Sequence, residues 1–77
     1  MNYNLTQKAM PTKVNINKAS SKELQEIIHI GPVRANDIIM HRKMYSAGYR
    51  DIHELSSIPG LGAIRMADII NQGVATV

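Results

Sequence analysis

The sequence predicts a small all-α domain of four to five short helices, folded as two helical hairpins in tandem. Three observations lead there. Sliding the 77-residue chain by 31 lays Glu23–Ile39 on Glu54–Ile70 without a gap, with eight of 17 positions identical, which marks a duplicated unit. Each copy opens on the same helix-start pattern, Ser20-x-x-Glu23 and Asp51-x-x-Glu54, in which each side chain is placed to bond the other residue's amide. Apolar residues then recur at helical spacing on both sides of a glycine-containing break.

The elements follow in order. Residues 1–13 are polar and without period, closed near Pro11, and read as a flexible leader to a domain spanning 14–77. Val14 and Ile16 alternate with polar neighbours, predicting a short extended lead-in beside the first helix. From the Ser20 cap, Leu24, Ile27 and Ile28 share one face of a helix of about two turns. After the break, Pro32 falls in the first turn of a second helix, where its missing amide forfeits no bond. Ala35, Ile38 and Ile39 face inward, and the helix runs to about Met44, before Ser46-Ala47-Gly48 ends it. This first hairpin covers residues 20–45. The second, over 51–73, repeats the plan with Leu55 and Ile58, then Met66, Ile69 and Ile70. Gly73 supplies a C-terminal cap, leaving Val74–Val77 as a short apolar tail.

Composition narrows the function classes. Hydrophobic residues make up 44% and charged residues 19%, a folded rather than disordered balance. Three tyrosines are the only aromatics, so the core must be aliphatic. So short a chain has little room for a deep substrate cleft. The absence of cysteine excludes disulfides, thiolate zinc sites and cysteine nucleophiles. The formal charge of +3 suits an anionic partner. No apolar run approaches membrane-spanning length, and the N-terminus lacks the apolar stretch of a secretory signal. A cytoplasmic setting is therefore the expectation, an extracytoplasmic one applying to a fragment of an exported protein.

The candidate chemistry lies in the two turns, Ile27–Arg34 and Ile58–Arg65. Glycine permits positive φ and close backbone approach. The helix after each turn starts at once, so its first amides point outward at the positive end of the helix dipole. Phosphate is the natural ligand of such a site. Arg34 and Arg65 stand three residues past Gly31 and Gly62, where a guanidinium can share that phosphate. Two such sites side by side match a nucleic-acid backbone better than a mononucleotide. A single hairpin of this kind is a common packing device; the duplication with arginine at the same offset favours phosphate.

These residues carry a resemblance. Ile58-Pro59-Gly60-Leu61-Gly62 is similar to the helix-hairpin-helix motif. Val14–Ser20, Glu23-Leu24 and Ile30–Ala35, with Gly48-Tyr49, Ile52 and Leu55, resemble the DNA-binding domain of the ComEA competence family, over roughly Val14–Val77. The resemblance implies a tandem helix-hairpin-helix fold that binds double-stranded DNA through its phosphates, without sequence preference, in DNA uptake. Relatives of this fold serve repair and recombination, and one makes protein contacts. The DNA-binding residues it implies are His29, Ile30, Gly31, Val33 and Arg34 in the first hairpin. In the second they are Gly60, Leu61, Gly62, Ile64 and Arg65. Lys18 and Lys22 join them, with Lys13, Arg42 and Lys43 adding long-range attraction. It also implies a monovalent cation on the backbone carbonyls of Ser56, Ile58 and Leu61, the one cofactor in view.

His29 stands where the motif has its first glycine, and Ile28 replaces the proline. This predicts a wider first turn with a weaker phosphate grip, unless a protonated imidazole itself meets phosphate. His29, His41 and His53 fall in a turn and two separate helices, without ligand spacing, so zinc is not expected; they read as solvated surface residues. Asp37 and Asp68 read as exposed helix residues bonding the neighbouring turn, not as an acid/base pair. No catalytic triad, Walker loop or dinucleotide fingerprint is present, and the expectation is a non-enzyme. The alternative is a protein-interaction module that keeps the fold without the DNA site.

Overall fold

Ser20 caps the first helix as its sequence predicts. Its Oγ accepts the Glu23 amide at 3.2 Å, and Glu23 Oε1 accepts the Ser20 amide at 2.9 Å. The computed structural model describes residues 13–77; apart from Lys13, the leader expected over 1–13 lies outside the described residues. The elements are β1 (Val14–Asn15), α1 (Ser21–Leu24), α2 (Pro32–Arg42), a 3-10 helix (Ile52–Ser57), α3 (Ala63–Gln72) and β2 (Ala75–Thr76). The domain is small and all-α in character, with four helices and one minimal strand pair.

The first helix of each hairpin is tighter than the two α-turns expected. Beyond α1 the chain continues through i to i+3 bonds, Glu26 to Glu23 and Ile27 to Leu24, both 3.0 Å. Its counterpart is 3-10 throughout. With three residues per turn, positions i and i+3 eclipse. Leu24 and Ile27 are therefore buried, as are Leu55 and Ile58, while Ile28 stays exposed. The tighter winding also displaces the second capping box. Asp51 accepts the His53 amide (2.7 Å) and Glu54 the Arg50 amide (2.8 Å), so the expected reciprocal pair does not form.

The core preserves the duplication. Leu24/Leu55, Ile27/Ile58, Ile30/Leu61, Ala35/Met66 and Ile38/Ile69 are all buried in one cluster, each pair 31 apart. Val14, Ile16, Ala19 and Tyr49 complete it. The lead-in is extended as expected and shares a hollow with Glu23 of α1, and it gains a partner besides: β1 pairs in parallel with β2, Val14 opposite Ala75 and Asn15 opposite Thr76. Burying Val14 and Ile16 leaves backbone groups that need partners. The apolar tail supplies them, Val14 donating to Val74 at 2.7 Å and Ile16 to Thr76 at 2.9 Å.

Two polar side chains fasten this lead-in. Asn17 Oδ1 accepts the Tyr49 amide (2.6 Å) and its Nδ2 donates to the Tyr49 carbonyl (3.0 Å). Arg42 Nη1 donates to the carbonyls of Ile16 (3.0 Å) and Ala19 (2.8 Å). Arg42, expected to add attraction at long range, is also a structural staple. Lys13 similarly donates to the Gly73 carbonyl at 2.8 Å. α2 ends at Arg42, two residues before Met44, and continues as turns. α3 ends at Gly73, which is left-handed at φ 71°.

Burial, with Tyr45 nearby, pushes the Tyr49 hydroxyl up to about 12. The neutral phenol is the form the fold favours. Its stability contribution is complete below the ordinary value near 10 and is lost as pH rises from about 10 through 12. Thermal melts at about pH 9 and pH 11 should show a drop in Tm that Tyr49→Phe reduces.

Candidate functional site

The two turns have the same geometry. Ile30 donates to the Ile27 carbonyl at 3.1 Å, and Leu61 to the Ile58 carbonyl at 3.0 Å. His29 (φ 69°) and Gly60 (φ 90°) are both left-handed. The first turn is thus not wider, contrary to expectation. A left-handed non-glycine residue costs about 1–2 kcal/mol, and the His29 ring offsets this by bonding Asp68, Nε2 to Oδ2 at 2.8 Å. His29 is therefore a paired residue and not a merely solvated one. Asp68 does bond the neighbouring turn, across the interface between hairpins.

Ile30 and Leu61 leave the list of phosphate contacts. Their side chains are buried in the core and their amides are already used to close the turns. The available amides come one step later. Gly31 and Gly62 are extended N-caps with no side-chain cap, and their carbonyls accept Ala35 and Met66 at 2.9 Å each. In the first turn of α2, Pro32 removes one amide and leaves those of Val33 and Arg34. α3 presents three, from Ala63, Ile64 and Arg65. Val33 and Ile64 occupy the same helical position and stand bare, 74% and 81% exposed.

The arginines turn back onto the hairpins. Arg34 Nη1 donates to the His29 carbonyl (2.9 Å) and Arg65 Nη1 to the Gly60 carbonyl (3.0 Å), the same bond in each copy. Arg34 also sends Nε to the Pro59 carbonyl of the other hairpin at 3.3 Å. Its guanidinium lies against Gly60, where a Cβ would collide with it. Glycine at position 60 thus suits the φ of 90° and leaves room for the Arg34 guanidinium. Arg65 is exposed and makes one such bond, so more of its donors face outward.

Two equivalent hollows result. One is lined by Gly31, Pro32, Val33, Arg34 and Asp37, with Pro59 from the second hairpin. The other is lined by Gly62, Ala63, Ile64, Arg65 and Asp68, with His29 from the first. Five members of each are repeat partners, and the sixth is lent by the opposite turn. Lys18 lies in a different hollow with Lys13 and Glu23, and Lys22 is exposed on α1. Sequence reasoning missed Gln72, whose Oε1 accepts the Ile28 amide (2.9 Å) and whose Nε2 donates to the Glu26 carbonyl (3.3 Å). Its spacing of four from Asp68 puts both on one face of α3, the signal that could have found it.

The remaining histidines have local partners. His41 Nδ1 meets the Tyr49 hydroxyl at 3.1 Å, and His53 Nδ1 meets Asp51 Oδ1 at 2.7 Å. Hydrogen bonds from the His53 backbone, then its ring, hold the Asp51 carboxyl below the usual range. No group of three metal-ligating side chains occurs among the described residues. Of the carbonyls assigned to a monovalent cation, that of Ile58 already accepts the Leu61 amide. No helix among the described residues is long and apolar enough to cross a membrane.

A family model described as the helix-hairpin-helix motif matches residues 11–72. No curated protein and no solved structure matches the chain.

Proposed function

Because the chain belongs to the helix-hairpin-helix family, we propose that it binds double-stranded DNA through backbone phosphates, one set at each hairpin. Helix-hairpin-helix motifs are generally associated with nucleic-acid binding. What carries the finer reading is the pair of repeat-equivalent hollows, each combining uncapped helix amides with an arginine. Helix amides and an arginine engaged with phosphate oxygens fix position without reading base edges, so binding through them is independent of sequence. The module is not an enzyme on this reading. The likeness of Val14–Ala35 to the ComEA family supports a place in DNA uptake, with repair or recombination as the other settings.

A second reading is a protein-interaction module. It draws on Met40 near the end of α2 and on Met44 and Tyr45 in the turns that follow, each of them exposed. Titrating duplex DNA at two salt concentrations separates the two. With about three to five phosphates neutralised, log affinity should fall against log salt with a slope of roughly −3 to −4.5. Unrelated duplexes should bind alike, at micromolar affinity or weaker. A flat salt response, or strong preference for one duplex, would sink the DNA reading.

A further inference from the structure

We infer that the DNA affinity of the second hairpin is proton-linked, with His29 acting as a charge switch on Asp68. The inference rests on the DNA-binding reading and deepens it. Asp68 places a carboxylate in the hollow that α3 opens with its free amides and Arg65. An anion there opposes an incoming phosphate. The His29 ring, lent by the other hairpin, lies 2.8 Å from that carboxylate. Both side chains remain partly open to solvent, 29% and 47% exposed, so protons and a ligand can reach them.

Protonation changes the charge of the hollow without changing its shape. A neutral imidazole with its proton on Nε2 donates to Asp68 and leaves one negative charge uncompensated. Adding a proton at Nδ1 keeps the same bond and makes the pair neutral overall. Phosphate then meets Arg65 and the amides without the opposing charge. By linkage, binding a phosphate draws a proton onto His29. Imidazoles are the side chains that make this change between about pH 5 and 8.

The charged groups around the ring are few. They are Asp68 and Arg65 on α3, in the same hollow, and Arg34 on α2, whose Nη1 holds the His29 carbonyl. Gln72 faces the adjacent Ile28 amide and Glu26 carbonyl and brings no charge. In the equivalent hollow of the first hairpin, Asp37 faces Pro59, which cannot titrate. The switch therefore belongs to one hairpin of the two.

The test is fluorescence-anisotropy titration of the full chain with a short duplex at about pH 8 and about pH 6, at fixed ionic strength. The parent should bind about three- to tenfold more tightly at the lower pH, within the limit of one linked proton. His29→Asn keeps a residue that tolerates left-handed φ and should lose the acid enhancement, binding equally at both. His29→Gly, which takes that φ freely, should do the same and covers any folding defect of the first variant. Asp68→Asn should bind at the higher pH at least as tightly as the parent does at the lower. Acid enhancement that survives in both His29 variants would overturn the inference and assign the proton elsewhere. Asp68→Asn binding no better than the parent at the higher pH would also overturn it, placing the imidazolium directly on phosphate. Parent binding that ignores pH refutes the switch alone, whereas no duplex binding at either pH refutes the DNA reading with it.

Discussion

Arg65→Glu is expected to lower duplex affinity by about ten- to a hundredfold and to reduce the magnitude of the salt slope by about one. Arg65 is exposed, spends one bond on the Gly60 carbonyl, and stands beside the three free amides of α3. Reversing its charge puts a carboxylate where phosphate would sit, while the fold loses one exposed hydrogen bond. Arg34→Glu should divide its effect differently. Arg34 is tied to the His29 and Pro59 carbonyls and joins the two hairpins. Losing those charge-assisted bonds should cost about 1–3 kcal/mol of stability, with a smaller direct effect on affinity because its hollow offers one amide fewer. Anisotropy titrations beside thermal melts of both variants read the two effects separately. If Arg34→Glu weakens binding more while melting like the parent, the assignment of the stronger site to the second hairpin is wrong.

Gly48→Ala should be strongly destabilising. Gly48 has φ 76°, and a Cβ there would sit 2.6 Å from Asn17 Oδ1 and 2.9 Å from its Cγ. Asn17 cannot yield cheaply, since that side chain holds both backbone groups of Tyr49. Backbone strain of about 1–2 kcal/mol adds to the loss of hydrogen bonds worth about 0.5–1.5 kcal/mol each. A total of about 2–5 kcal/mol is a large part of the 5–15 kcal/mol or so that keeps a domain folded. Gly73→Ala is the control. Its φ of 71° is nearly the same, but nothing lies within 4 Å of the added methyl, so only the strain applies. Denaturant unfolding of both variants should give a clearly lower midpoint for Gly48→Ala, and equal midpoints would refute the role given to Asn17.

The sequence by itself determined the duplicated plan. Its 31-residue repeat located both turns and the Gly31 and Gly62 helix starts, and glycine at 73 marked the last helix's stop, because turns and caps depend on backbone conformations that few residue types provide. Most of the aliphatic core was readable too: Leu24, Ile38, Leu55 and Ile69, named from the repeats, are all buried, whereas Ile70, named with them, is exposed. What periodicity could not set was the winding of the first helices. An i, i+3 pair such as Leu24 and Ile27 satisfies an α-helix and a 3-10 turn alike, and only packing decides that Ile28 is left outside.

Contacts between distant residues were decided by tertiary structure alone. The β1–β2 pair joins the two ends of the described chain, and no local pattern announces a partner 61 residues away. Arg42 looked like surface charge until Ile16 and Ala19 brought their carbonyls to it. His29 looked like a defect in a glycine turn; it holds the same left-handed geometry as Gly60, and Asp68, 39 residues on, meets its ring. Local sequence fixes what each backbone segment can adopt. Which polar groups meet is set by the packing of one hairpin against the other, where each buried or half-buried donor must find an acceptor wherever the chain has placed one.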